Sequence, residues 1–164
     1  MGTKDRQREL RNNTSTAEMK LSLHCVKNPG PEGQDSLLGY DGSNEAKDAL
    51  KLAQKHAQAF GAKIEVVKSV TRHHPLDHRL IQGTEEKLER EIRNQLNGDI
   101  PSYETRLLVS SQASGENLIW IAELAKIDEI IIGVRRRSKV GKLLMGSTAQ
   151  YLILNAPCPD ITTK

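Results

Sequence analysis

A chain of 164 residues is enough for one compact domain and short for two. Aromatic residues make up only 3% of it and hydrophobic residues 37%, so any core has to be aliphatic. Twenty-four basic against 21 acidic residues leave a net charge of +3, too small to argue for nucleic acid unless the basic groups gather in one place.

No stretch approaches the roughly 20 apolar residues of a membrane helix, and the N-terminus lacks the apolar core of a secretory signal. Cys25 and Cys158 fall in no CxxC or Cys/His ligand spacing. Two reduced thiols in a cytoplasmic protein are therefore expected.

Residues 1 to 20 are polar and charged and read as a poorly ordered tail. Leu21 to Val26 alternates and fits a short strand. The following KNPGPEGQD holds two prolines and two glycines and sets a boundary. The chain thus divides into an N-terminal extension, 1–33, and a domain, 34–164.

SLLGY, from Ser36, is a short apolar strand that runs into Asp41-Gly42-Ser43. Ser43 is a good N-cap, and Glu45 suits the first turn of a helix. Ala46, Ala49, Leu50, Ala53, Ala57 and Phe60 share one helical face, and Gly61 is the stop. KIEVVKSV is the second strand and TRHHPLDHR a loop. Leu80, Ile81, Leu88, Ile92 and Leu96 mark a second helix ending at Gly98, with Glu86–Arg90 and Glu89–Arg93 at i,i+4 on its exposed face. SYETRLLVSS is a third strand, ASGENLIWIAELAK a third helix and IDEIIIGV a fourth strand. A fourth helix runs to Leu154, and NAPCPDITTK makes a turn and a last short strand.

Strand alternating with helix predicts a parallel sheet covered on both faces. The continuous apolar EIII fits a strand buried on both sides. In such sheets ligands sit beyond the carboxyl ends of the strands, near the point where strand order switches. YDGS (Tyr40 to Ser43) and GVRRRSKVGKLLMGST (Gly133 to Thr148) are placed there.

The second of these stretches is the densest basic cluster in the chain. A Walker A loop is ruled out: the residue five before Gly141 is Arg136, and Leu143 follows Lys142. Gly146-Ser147-Thr148 opens a helix, where backbone N–H groups and two hydroxyls make an anion site. Gly133 ends a strand and could let a nucleotide approach the backbone. Arg135, Arg136, Arg137, Lys139 and Lys142 could surround phosphates. The basic run also admits contact with RNA or DNA, but without the aromatic platforms that single strands use.

From Ser36 to Lys164 the chain resembles a universal stress protein domain. The nucleotide-binding members of that family carry G-x-x-G, nine residues, then G-[ST]. Gly133, position 136, Gly146 and Ser147 reproduce the spacing, and YDGS and NAPCP are similar to the family as well. The resemblance implies an α/β fold: an open twisted parallel five-stranded sheet, order 3-2-1-4-5, with two helices on each face, of the adenine nucleotide alpha hydrolase-like type. It implies an ATP or AMP pocket, with or without Mg2+, and usually a homodimer. It maps Asp41 to the ribose and adenine, and Ser69 or Val70 to the adenine. It maps Gly133, Gly146, Ser147 and Thr148 to the phosphates, with Arg135 and Arg136 beside them.

Three departures from the family pattern matter; in one, Gln34-Asp35-Ser36 stand in place of the basic-apolar lead into the first strand, and the other two bear on function. Arg136 stands where the second glycine would be; its Cβ resists φ > 0, yet its guanidinium can pair with phosphate. The last strand reads DITTK rather than a Val-rich run, placing Asp160 where the family commonly makes its dimer contact. They motivate an alternative: a protein of the same fold that binds no nucleotide and acts through a protein partner.

Blander readings stand beside these. Asp-Gly is a common turn pair, so Asp41 is also a turn residue. His73, His74 and His78 with Asp77 read as a polar loop rather than a metal site, since Pro75 interrupts any helix face. His56 reads as a surface residue, and no Ser/His/Asp or Cys/His set has a reason to meet. The expectation is a nucleotide-binding regulator of the stress response with no evident catalytic machinery.

Overall fold

Leu37 and Leu38 are neighbours in β1 (Ser36–Gly39), and both are fully buried. Side chains alternate across a strand, so a layer must cover each face of the sheet. The computed structural model describes residues 35–71, 78–96, 102–134 and 145–164. The N-terminal extension with its expected strand at Leu21 to Val26, the pair His73 and His74 with Asp77, the helix stop at Gly98, and Arg135 to Lys142 lie outside the described residues.

After β1 come α1 (Asn44–Phe60), β2 (Ile64–Thr71), α2 (His78–Gln95) and β3 (Tyr103–Ser110). Then follow α3 (Ser114–Ala125), β4 (Glu129–Gly133), α4 (Ser147–Asn155) and β5 (Asp160–Thr163). The five strands are all parallel, in the order β3-β2-β1-β4-β5. The expected sheet and its strand order are therefore present. Successive strands build outward from β1 to one edge and then from β4 to the other, so the switch point lies between β1 and β4.

Leu38, Ile64, Val66 and Ile131 pack on one face with α1 and α2, which contribute Ala49, Leu50, Ala53, Leu88 and Ile92. Leu37, Val67, Leu108, Ile130 and Ile132 pack on the other with Leu118, Ile121, Ala149 and Leu152 of α3 and α4. Each face thus carries two helices. The run Ile130-Ile131-Ile132 feeds both cores, and burying each such side chain stabilises by about 1.5–3 kcal/mol.

Helix α1 begins and ends where its sequence says. The Ser43 side chain accepts from Ala46 N at 3.1 Å, and Gly61 closes the helix at φ 66. Phe60, expected on the buried stripe, is 58% exposed. Its angle is right but its height is wrong. A helix of 17 residues is about 25 Å long, whereas the four residues of β1 span about 13 Å, so the last turn overhangs the core. The Phe60 ring meets His56 edge-on instead, with centroids 5.9 Å apart. Leu80, expected on the buried face of α2, is likewise exposed in that helix's first turn. Of the two expected ion pairs on α2, Glu89–Arg93 forms, while Glu86 accepts from Gln82. No described helix is long and apolar enough to cross a membrane.

Candidate functional site

A cleft of about 190 Å3 opens at the carboxyl ends of β1, β2 and β4, on the α3–α4 side of the switch point. Asp41, Ser69, Gly133 and Thr148 all line it. They come from four places in the sequence: the ends of three strands and the first turn of α4.

Asp41 sits just past β1. Its Oδ1 accepts from Ser43 N at 2.9 Å, a turn completed by Gly42 at φ 83. Asp41 is thus a turn residue that also lines the cleft: the bond that orients the carboxylate also starts α1.

Ser69 and Val70 were alternatives for the wall given by β2. The pleat separates them: Ser69 lines the cleft, and Val70, 37% exposed, does not.

Gly133 reaches the cleft through its backbone, but what requires a glycine there is packing. A Cβ at this position would lie 2.3 Å from the carbonyl carbon of Glu45 and 2.5 Å from Ala46 N. The first turn of α1 rests on the end of β4.

Gly146 is the N-cap of α4, at φ −63 and ψ 153, with no side-chain capping bond. The first bond of the helix runs from Gln150 N to Gly146 O, which leaves the N–H groups of Ser147, Thr148 and Ala149 without a partner inside the helix. Thr148 and Ala149 line the cleft; Gly146 and Ser147, expected beside the phosphates, do not. Such a helix start attracts anions. Arg135 and Arg136 lie outside the described residues.

Several further residues build the site or stand behind it. Gly39 forms part of the floor; a Cβ there would come within 3.0 Å of Leu118 and 3.1 Å of Ile132. Val67 and Leu118 supply apolar wall. Tyr40 is 3% exposed and donates its hydroxyl to Glu91 Oε1 of α2 at 2.8 Å. Burial, and then that bond to a carboxylate, hold its phenol well above the usual tyrosine range, so it stays protonated. Asn117, fully buried in α3, donates to Ser69 Oγ at 2.9 Å. One signal could have exposed Asn117: it is the polar residue beside Leu118, Ile121 and Ala122 on the otherwise apolar buried face of its helix.

A second polar cluster lies at the opposite, amino end of the sheet. Ser36 donates to Glu129, and His56 Nδ1 stands 3.1 Å from both oxygens of the same carboxylate. His56, expected at the surface, is half-buried and faces this carboxylate. Ser36 and His56 both bond to the acid and not to each other, and Ser36 is fully buried, so nothing here activates a nucleophile. Among the described residues, no three of His, Cys, Asp and Glu are placed to hold a metal ion.

The model of the universal stress protein family matches residues 35–164. Among curated relatives, the "Universal stress protein in QAH/OAS sulfhydrylase 3′region" of Thermus aquaticus is 35% identical over 138 residues, covering 78% of this chain and 96% of its own. Among solved structures, a universal stress protein from Archaeoglobus fulgidus is 28% identical with a TM-score of 0.65, covering 82% of this chain and 100% of that one. A universal stress protein from the same organism in complex with dAMP is 24% identical with a TM-score of 0.62, covering 80% and 98%.

Proposed function

The chain belongs to the universal stress protein family, and we propose that it is a cytoplasmic stress-response regulator that binds an adenine nucleotide, ATP or AMP, in the cleft between β1, β2 and β4. The observation that carries this reading is the convergence of Asp41, Ser69, Gly133 and Thr148 on one opening at the switch point. Three adjacent strands contribute, so the cleft is about 10 Å across, the length of a nucleoside with its first phosphate. The base lies between Val67 and Leu118 beside Ser69. The ribose lies at Asp41. The phosphates reach the open start of α4 at Gly146, Ser147 and Thr148, with Arg135 and Arg136 as their counter-charges and with or without Mg2+.

The cleft is smaller than the roughly 300–1,000 Å3 usual for small-molecule sites. It therefore encloses the base and sugar and leaves the phosphates toward solvent. The dAMP held by the Archaeoglobus protein supports the choice of an adenine ligand. Occupancy acts by changing shape or partners rather than by chemistry. Dimerisation belongs to the same proposal: among the described residues β5 is an edge strand with no neighbour on the side away from β4, and would pair with its copy despite Asp160.

Calorimetric titration with ATP and AMP tests the reading, with Asp41→Ala as the control. Micromolar binding weakened by the substitution is expected. No binding of either nucleotide up to millimolar concentration would overturn it and leave a protein of this fold that works through a protein partner.

A further inference from the structure

Asn117 is a fully buried amide that lies behind the cleft and does not line it. A buried amide without partners is costly, and here its groups are taken up in a defined order. Its Oδ1 accepts from Ser110 Oγ at 2.9 Å, and its Nδ2 donates to Ser69 Oγ at 2.9 Å. Ser110 Oγ in turn accepts from the backbone N of Gln112 at 3.1 Å.

The orientation of the amide is decided by its surroundings. The carbonyl oxygen of Gln112 is 3.5 Å from Nδ2, and a carbonyl can face only the NH2 side. Oδ1 can only accept, so the single hydrogen of Ser110 goes to it, while a lone pair of Ser110 accepts from Gln112 N. Every link then points one way: Gln112 N–H to Ser110, Ser110 to Asn117, Asn117 to Ser69. A serine hydroxyl has one hydrogen, and among the described residues that of Ser69 has no acceptor. Ser69 lines the cleft in company with Val67 and Leu118, the apolar part of its wall.

We propose that Ser69 is a hydrogen-bond donor to an acceptor atom of the bound base, held in that polarity by Asn117. The inference rests on the nucleotide reading above and adds what the base must present at this wall. A ring nitrogen or carbonyl oxygen is accepted, and an N–H or C–H at the same point is rejected, because the donor is then left unpaired. Ser69 touches the ligand. Asn117 is a positioning residue, reached through Ser69 only.

The test is a calorimetric series on the full chain with AMP and its 1-deaza, 3-deaza and 7-deaza analogues, each of which replaces one ring nitrogen by C–H. In the wild type, one analogue should bind about tenfold more weakly than AMP and the other two similarly to it. In Ser69→Ala that difference should fall below about twofold, since the donor is gone. Asn117→Asp, with its fold checked by melting, should erase the difference too. A carboxylate accepts from both serines and turns the Ser69 hydrogen away from the cleft. Equal binding of AMP and all three analogues by the wild type, or a difference that survives in Ser69→Ala, would overturn the donor role while leaving the nucleotide reading intact. No binding of AMP at all by the wild type would sink both.

Discussion

The α-carbon of Gly133 and the backbone of Glu45 are so close that a single added carbon at 133 would stand 2.3 Å from the Glu45 carbonyl carbon. Backbone cannot swing aside as a side-chain tip can. Gly133→Ala should therefore displace the first turn of α1 and cost about 3 kcal/mol or more, read as a lower urea midpoint at unchanged m. Because Asp41, Gly42 and Ser43 lead into that turn, nucleotide affinity should fall with it. An unchanged midpoint would show that α1 does not rest on the end of β4.

Gly146→Ala should behave in the opposite way. The residue has an ordinary negative φ, and nothing among the described residues lies within 4 Å of an added Cβ. Its cost to stability should stay within about 1 kcal/mol, the loss of a glycine N-cap. If phosphates occupy the start of α4, however, the methyl group crowds them. AMP and ATP should then bind at least about tenfold more weakly, a difference of about 1.4 kcal/mol. Unimpaired binding would move the phosphates away from this helix.

These two glycines show what was legible in the sequence. The spacing of Gly133, Gly146 and Ser147 pointed to one end of the sheet, and the fold brings them there. The reason for a glycine at 133 was not legible, because it depends on a helix 88 residues earlier in the chain. Periodicity placed Ala46, Ala49, Leu50, Ala53 and Ala57 on one buried face, and the EIII run in mid-sheet, since these are properties of a single element. Phe60 failed because helical angle says nothing of how far the strands below extend. Asn117 went unread because its role exists only where β2, β3 and α3 meet. Choosing Ser69 over Val70 needed the phase of the β2 pleat relative to α3, which alternation alone leaves open.

Tyr40 separates stability from binding. It lines the cleft, but its side chain packs in the α1–α2 core, on the face away from Val67 and Leu118, with the hydroxyl turned to Glu91. Tyr40→Phe removes the bond to Glu91 without changing that packing. A loss of about 1.5–3 kcal/mol is expected, the range for hydrogen bonds to a charged group. AMP affinity should hold within about twofold, because the hydroxyl points at α2. Urea denaturation and calorimetry on the same preparation check both halves. A large loss of affinity with no loss of stability would place the phenol in the binding site instead.

Glu65 gives a pH dependence of definite sign. Its side chain is 8% exposed, and Arg106 Nη2 lies 2.8 Å from Oε1 but is not aligned as a hydrogen bond. Burial raises its carboxyl above the usual range by more than the attraction of Arg106 and Lys63 lowers it. The folded protein therefore holds this proton to a higher pH than the unfolded chain does. Its contribution to stability is greatest below the unfolded value, near 4.3 in model peptides, and is lost as pH rises through the folded value. Glu65→Gln keeps the shape and cannot ionise, and Arg106, with its side chain 22% exposed, keeps access to water. The melting temperature of Glu65→Gln relative to wild type should thus rise from acid to neutral pH, with the crossover in the carboxylate range and just above it. A relative fall over the same window would mean that the Arg106 ion pair outweighs the cost of burying the charge.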